Sequence, residues 1–442
     1  MGGTFNGKKI LPGTYVRYKA KKTTAPGSSV RGIAVVPIIG YDWGDTSAQM
    51  IRVESASPDA NYVKFARSVY DDSNAIIRYI ALALENAETV YAYLPAGGTK
   101  ATKTATDLTV TAKYGGTRGN RITVTIVART DSGFDVSVYL DGELVEKFEK
   151  ITTLAGLVAT ESEWVTFSGT GSIQAEAGIV LAGGTDAAVT NTIWTDYLDA
   201  LEKIKFNTAL VATDTAAIHT AAISKVNSLR DTAGKTVQFV IPGCAANNIG
   251  IINVGNSFGY SDSDQLTDNQ AAAWVTGAEA GADKTESCTY KPVPNADRVV
   301  GALSLAAAEA AVNAGKLFFI TDDEGTVVVC YDINSLTTPG TDQDISYRKN
   351  RVIHTLDAFA DDLRLNIKPN QFNNNDEGWS LMEGIGRNLL MQYQADNAIT
   401  NVDPEEDFYV DKTLTSGDDC YFIVGMQPVD SAEKIYFTIN TQ

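Results

Sequence analysis

The sequence predicts a multidomain α/β protein. It is expected to have a mostly parallel sheet core flanked by helices, an inserted antiparallel β-sandwich, and an α+β C-terminal domain. Three observations carry this. Residues 33–94 read strand, helix, strand. Between residues 101 and 185 the pattern changes to apolar alternation with period two. From residue 186 on, apolar runs and helical stripes alternate again. The chain of 442 residues has room for several domains. Its net charge of −18 argues against a general nucleic-acid binder, because a phosphate backbone selects Lys/Arg surfaces. There is no apolar run long enough for a membrane span and no signal-peptide apolar segment, so folding in the cytoplasm is expected.

Taken in order, residues 1–22 carry Lys8, Lys9, Arg17, Lys19, Lys21 and Lys22 and no acid. Gly2, Gly3, Gly7, Pro12 and Gly13 oppose a helix there. One strand fits at 14–20, either in a disordered terminus or in an arm that adds to a neighbour's sheet. Residues 33–39 suit a buried strand. Asp72 or Ser73 is placed to cap a helix through Asn86, with Ile76, Ile77, Ile80, Ala81 and Leu84 inward. Residues 89–94 complete a β–α–β unit. A Pro/Gly/Thr/Lys linker at 95–106 leads into the alternating region, where Asp141-Gly142 signals a hairpin turn. The loop at 116–120 (GTRGN) lacks the order of a phosphate-binding loop and reads as a tight turn with exposed arginines.

After Gly183–Asp186 the reading resumes with helices near 194–204, 216–229, 268–278 and 304–314. Strands fall at 208–212, 237–241, 251–254, 317–321 and 326–331. Val352, Ile353, Leu356, Ala360 and Leu363 form one side of a later helix, and Asp357, Asp361, Asp362 and Arg364 are expected on its outer surface. A long helix near 379–395 shows a stripe of Leu381, Met382, Ile385, Leu389 and Tyr393, followed by strands at 408–410 and 421–426. The final strand alternates Ile435, Phe437 and Ile439 with Tyr436 and Thr438. Lys412 is the single base between Asp403 and Glu433, so a basic N-terminus coexists with an acidic C-terminal region.

No catalytic or metal-ligating set stands out. His219 lies in an Ala-rich helix and His354 among apolar neighbours, neither in metal-ligand spacing. A G-x-S-x-G match at 255–259 is followed by a Ser/Asp-rich loop, whereas a nucleophile elbow needs a helix to begin at the serine. Cys244, Cys288, Cys330 and Cys420 are widely spaced without a CxxC pair, which suits free thiols in a reducing compartment. No cofactor and no metal is expected.

Several short motifs, in order, resemble one family. YDWG (41–44), GTRGN (116–120), GGTD (183–186), DINSLTT (332–338), KNRVIHTLDAF (349–359) and EKIYFTI (433–439) are similar to contractile tail sheath proteins of phages and phage-tail-like bacteriocins. The resemblance implies a subtilisin-like sheath core over 23–100 and 186–335 and an outer sandwich over 101–185. It implies an N-terminal arm over 1–22 and a tube-facing C-terminal domain over 336–442. It further implies a subunit of stacked hexameric rings around an inner tube, contracting from a metastable extended state without nucleotide hydrolysis. The expected exchanged strands hold Thr14, Tyr15, Val16, Arg17 and Tyr18, and Ile435, Tyr436, Phe437, Thr438 and Ile439. The expected tube-facing helix holds Arg351, His354, Asp357, Asp361, Asp362 and Arg364. The implied partners are further copies of the chain, an inner tail tube protein, and baseplate and tail terminator proteins. Direct nucleic-acid contact and membrane insertion are not expected. Assembly is expected in the cytoplasm of a bacterial host, as part of a virion tail or a released tail-like particle. The other classes left open are a non-contractile structural or surface assembly protein and a hydrolase.

Overall fold

The computed structural model describes residues 31–440. The expected arm strand at Thr14, Tyr15, Val16, Arg17 and Tyr18 lies outside the described residues. Strands β1 (Ile33–Pro37), β2 (Gln49–Glu54) and β3 (Thr89–Leu94) come first. Next come β4 (Lys100–Ala105), β5 (Leu108–Gly115), β6 (Ile122–Ala128), β7 (Phe134–Leu140), β8 (Glu143–Ile151), β9 (Val165–Gly169) and β10 (Glu176–Val180). Strands β11 (Thr208–Leu210), β12 (Gln238–Val240), β13 (Ile251–Val254), β14 (Ser257–Gly259), β15 (Arg298–Val300) and β16 (Lys316–Leu317) follow. Helices α1 (Tyr62–Phe65), α2 (Arg78–Leu84), α3 (Leu154–Val158), α4 (Asn191–Ala200), α5 (Ala216–Asn227), α6 (Asp268–Gly281) and α7 (Leu305–Asn313) are interspersed.

The main sheet has seven strands in the order β16-β13-β12-β11-β1-β3-β2. Its pairings are parallel except for β2, which runs antiparallel to β3 at one edge. Strand β2 is not among the expected elements; its burial alternates over only a few residues, as suits an edge strand. The cap of α2 is also corrected. Asn74, not Asp72 or Ser73, accepts from the amides of Ile76 and Ile77, both at 3.0 Å.

Apolar residues from both faces of this sheet are buried, as a parallel sheet between helices requires. Helix α6 presses against α2 so closely that its glycines are needed. A Cβ on Gly277 would lie 2.1 Å from the Ala83 carbonyl oxygen, and one on Gly281 2.2 Å from that of Asn86. Thr267 and Gln270 form a reciprocal capping box at the start of α6.

Between β3 and α4 the chain builds two antiparallel sheets, β10-β6-β7-β8 and β4-β5-β9. Val110, Val124 and Val138 from these sheets are fully buried. Asp141 and Gly142 have φ of 52° and 87°, the left-handed pair of a tight hairpin turn joining β7 to β8.

The C-terminal part holds α8 (Asn350–Asn366), α9 (Asp376–Ala395) and α10 (Pro404–Asp407). Strands β17 (Phe319–Thr321) and β18 (Val327–Val329) pair ahead of it, and its own strands are β19 (Ile399–Thr400), β20 (Phe408–Val410), β21 (Phe422–Val424) and β22 (Gln427–Pro428), paired 19–22 and 20–21. Along α9, Met382, Leu389, Leu390 and Tyr393 are buried, whereas Leu381, expected in the stripe, is exposed. Among the described residues no helix is long and apolar enough to cross a membrane.

Candidate assembly site

The sequence motifs gather at two places. YDWG, GTRGN and GGTD meet where the inserted sheets join the main sheet. Gly44 and Gly115 exchange backbone bonds of 2.9 and 2.8 Å, and the Arg118 amide donates to the Asp42 carbonyl at 3.1 Å. Asn120 and Gly184 exchange two more, at 3.0 and 2.8 Å. A Cβ on Gly116 would sit 2.0 Å from the Asp42 oxygen, and one on Gly98 1.9 Å from that of Thr185. These glycines let backbone pack on backbone. Trp43, with no exposure, lies in the joint, 5.2 Å from the Tyr114 ring and 6.3 Å from Trp164. Of the arginines expected to be exposed at this loop, Arg121 is and Arg118 is not. Arg118 donates to the Ala66 carbonyl at 3.0 and 3.2 Å and pairs with Asp141. The turn therefore fastens two bodies together.

DINSLTT, KNRVIHTLDAF and EKIYFTI meet at a second place, beneath α8. Asp332, Asn350 and His354 are almost fully buried there. The Asn350 amide side chain donates to Asp332 at 2.7 Å. Lys349 pairs with Glu433, which also accepts from Ser287 at 3.1 Å and Thr289 at 2.6 Å. Arg351 donates to the Ser431 hydroxyl at 2.6 Å. So residues 431–433 are pinned to the body.

Beyond this anchor the chain is bare. Residues 429–440 form no helix or strand. Ile435 is 66% exposed, and Tyr436, Phe437 and Ile439 are 86, 85 and 86% exposed. Thr438 is exposed as well. Together these residues leave a run of large apolar side chains uncovered.

The outward charge expected on α8 is corrected. Asp357 is buried and forms a bidentate pair with Arg230, at 2.8 and 2.9 Å. Asp362 is 2% exposed and accepts from the Tyr393 hydroxyl at 2.6 Å. Desolvation by burial, then the bond to Asp362, push the Tyr393 phenol far up. His354 is 1% exposed, its Nε2 3.3 Å from Glu279 Oε2. Asp361 is partly covered, holding Thr236 at 2.7 Å and Arg364 at 2.8 Å. Arg364 alone of this set is exposed. Helix α8 is covered from two sides: the main domain takes His354, Asp357 and Asp361, and α9 takes Asp362.

The candidate chemistry also resolves. Ser257 is buried and its hydroxyl donates to the Leu266 carbonyl at 2.8 Å, so it is a strand hydroxyl and not a poised nucleophile. The His219 ring bonds the Thr213 carbonyl at 2.6 Å. All four cysteines are free, and burial pushes the Cys244 thiol up to about 11, away from reactive thiolate.

The body is multidomain, with a pinned apolar end that nothing among the described residues covers. Family models agree along the chain. The phage tail sheath protein beta-sandwich domain matches residues 96–186, the central domain 187–335, and the phage tail sheath C-terminal domain 342–442. The phage-like element PBSX protein XkdK of Bacillus subtilis is 30% identical over 99% of both chains. Among solved structures, the sheath tail protein of Desulfitobacterium hafniense is 36% identical, with TM-score 0.84 over 96% of this chain and 99% of its own. That of Listeria innocua is 30% identical, with TM-score 0.78 over 93% and 96%. The fold alone extends to the contracted helical sheath of the anti-feeding prophage, at 11% identity and TM-score 0.56 over 98% of this chain and all of that one. The chain belongs to the phage tail sheath protein family.

Proposed function

We propose that this chain is the subunit of a contractile tail sheath. It polymerises as stacked hexameric rings around an inner tube and contracts from a metastable extended state to drive the tube through a cell envelope. The observation that carries this reading is the pinned yet uncovered end at Ile435, Tyr436, Phe437, Thr438 and Ile439. A strand offered this way satisfies its backbone only in a neighbour's sheet, and a flexible strand link survives the sliding that contraction demands. The arm at Thr14–Tyr18 is its counterpart. The domains are then 1–22 (arm), 23–100 with 186–335 (subtilisin-like core), 101–185 (outer sandwich) and 336–442 (inner domain). Family membership and the likeness of fold to a contracted sheath support the assignment.

Contact with the tube falls, in this reading, to the exposed Arg364 end of α8, since the rest of its charge is engaged within the chain. An inner tube protein, baseplate and terminator proteins are the partners, and the work comes from stored conformational energy, so no catalytic residue or cofactor is needed. Electron microscopy of the purified protein tests this. Striated hollow tubes are expected from the intact chain, and none after removal of residues 435–442. Tubes that form equally without that segment would remove the strand-exchange role.

A further inference from the structure

Beneath the anchor of the C-terminal strand lies a titratable cluster that the sheath reading does not use. Glu279, on α6, has no exposure, and neither of its carboxylate oxygens has a hydrogen-bond partner among the described residues. His354 on α8 faces it at 3.3 Å, with both ring nitrogens likewise unpartnered. From the segment after α6, Cys288 closes one side, and from the segment after β18, Asp332 closes another. Ligand-type atoms of Glu279, Cys288 and Asp332 lie within 4.8 Å of one another. From the chain before β1, Arg31 donates to the Ala282 carbonyl at 3.0 Å and the Glu279 carbonyl at 3.3 Å.

Charge and hydrogen bonding decide what this cluster holds. Asp332 receives the Cys288 amide at 2.8 Å and the Asn350 amide side chain at 2.7 Å, donors that suit a carboxylate. Glu279 instead faces the Asp332 carboxyl and the Cys288 thiol. Of the other nearby cations, Lys349 is already engaged by Glu433 and Lys291 by Glu286. With both carboxyls ionised, the one guanidinium would leave a buried negative charge uncompensated, which a protein interior does not tolerate. We infer that Glu279 is a neutral carboxylic acid at neutral pH, and that its buried proton fastens the point from which the C-terminal segment leaves the body. Burial, then the nearness of Asp332, push the Glu279 carboxyl well above the usual range. Burial, then Arg31, push His354 well below its own.

The position of the proton stands without the sheath reading; its effect on the C-terminal segment rests on that reading. Ser287 and Thr289, flanking Cys288, hold Glu433 at the root of the C-terminal segment. A charged Glu279 repels Asp332, which holds the Cys288 amide between those two residues, and so loosens that root. Because the folded chain keeps a proton that the unfolded chain has released, this stability is complete below the unfolded carboxyl pKa. It is lost as pH rises through the folded value.

Infrared spectroscopy of the intact protein at neutral pH tests the inference. A protonated-carboxyl C=O band that is absent from Glu279→Gln is expected. Metal analysis of the same sample should give less than one equivalent. In thermal unfolding from pH 5 to 9, the folding constant of the wild type should fall by up to roughly tenfold per pH unit, against a flatter profile for Glu279→Gln. If that variant does not fold, the wild-type band and metal content decide alone. No carboxylic acid band overturns the inference, whether because His354 carries the proton or because the site is fully ionised. So does one equivalent of a divalent cation bound by Glu279, Cys288 and Asp332.

Discussion

Arg230 and Asp357 come from distant parts of the chain and meet in two charge-assisted bonds of 2.8 and 2.9 Å. Burial lowers the arginine's tendency to stay charged, but Asp357 more than restores it, so the guanidinium is held above its ordinary value. Removing one partner leaves the other buried and unpaired. Asp357→Ala should therefore cost about 3–5 kcal/mol in denaturant unfolding, and a paired apolar replacement of both residues much less. Ser257→Ala removes one buried hydroxyl bond and should cost about 1 kcal/mol, with no change in assembly. At this scale the sequence was readable for residue type and helical face. The six charged or polar residues assigned to an outward face of α8 show its limit. Their spacing was read correctly, yet His354, Asp357 and Asp362 are buried.

Helix α9 shows how an element's neighbours give two similar residues opposite roles. Gly384 has nothing within 4 Å of an added Cβ, while a Cβ on Gly386 would lie 2.1 Å from the Phe408 ring. Gly384→Ala should stabilise by about 0.4–1 kcal/mol through the unfolded state. Gly386→Ala should destabilise by about 1–3 kcal/mol, since the ring of β20 must move. Thermal unfolding of the pair in parallel checks both signs. The helices and the period-two strands were legible in the sequence because each carries its own periodicity. The edge strand β2 and the start of α2 were not, because a short alternation and a choice among adjacent capping residues are settled by contacts with β3 and by turn geometry.

The whole molecule is organised by its two motif clusters. The joint around Trp43 ties the inserted sheets to the main sheet, and one apolar cluster includes Trp43, Val110 and Val254. Deleting residues 101–185 would uncover Trp43 and cut the Gly44–Gly115 bonds. The deleted protein should elute as aggregate in size-exclusion chromatography unless Trp43 is also replaced by a polar residue. The second cluster ties α6, α8 and residues 431–433 together. It is why the C-terminal strand is anchored at Glu433 and bare immediately afterwards.

By itself the sequence determined the α/β class, the interruption by antiparallel strands, the absence of a spaced metal or nucleophile motif, and the six motifs that resemble sheath proteins. These follow from local periodicity and residue order, which survive without knowledge of contacts. Only the tertiary structure decided which of those residues face water. Periodicity says which side chains share a face, but not whether another domain covers that face. For α8 the main domain does cover it, and so the Asp357 that looked like surface charge is a buried bond.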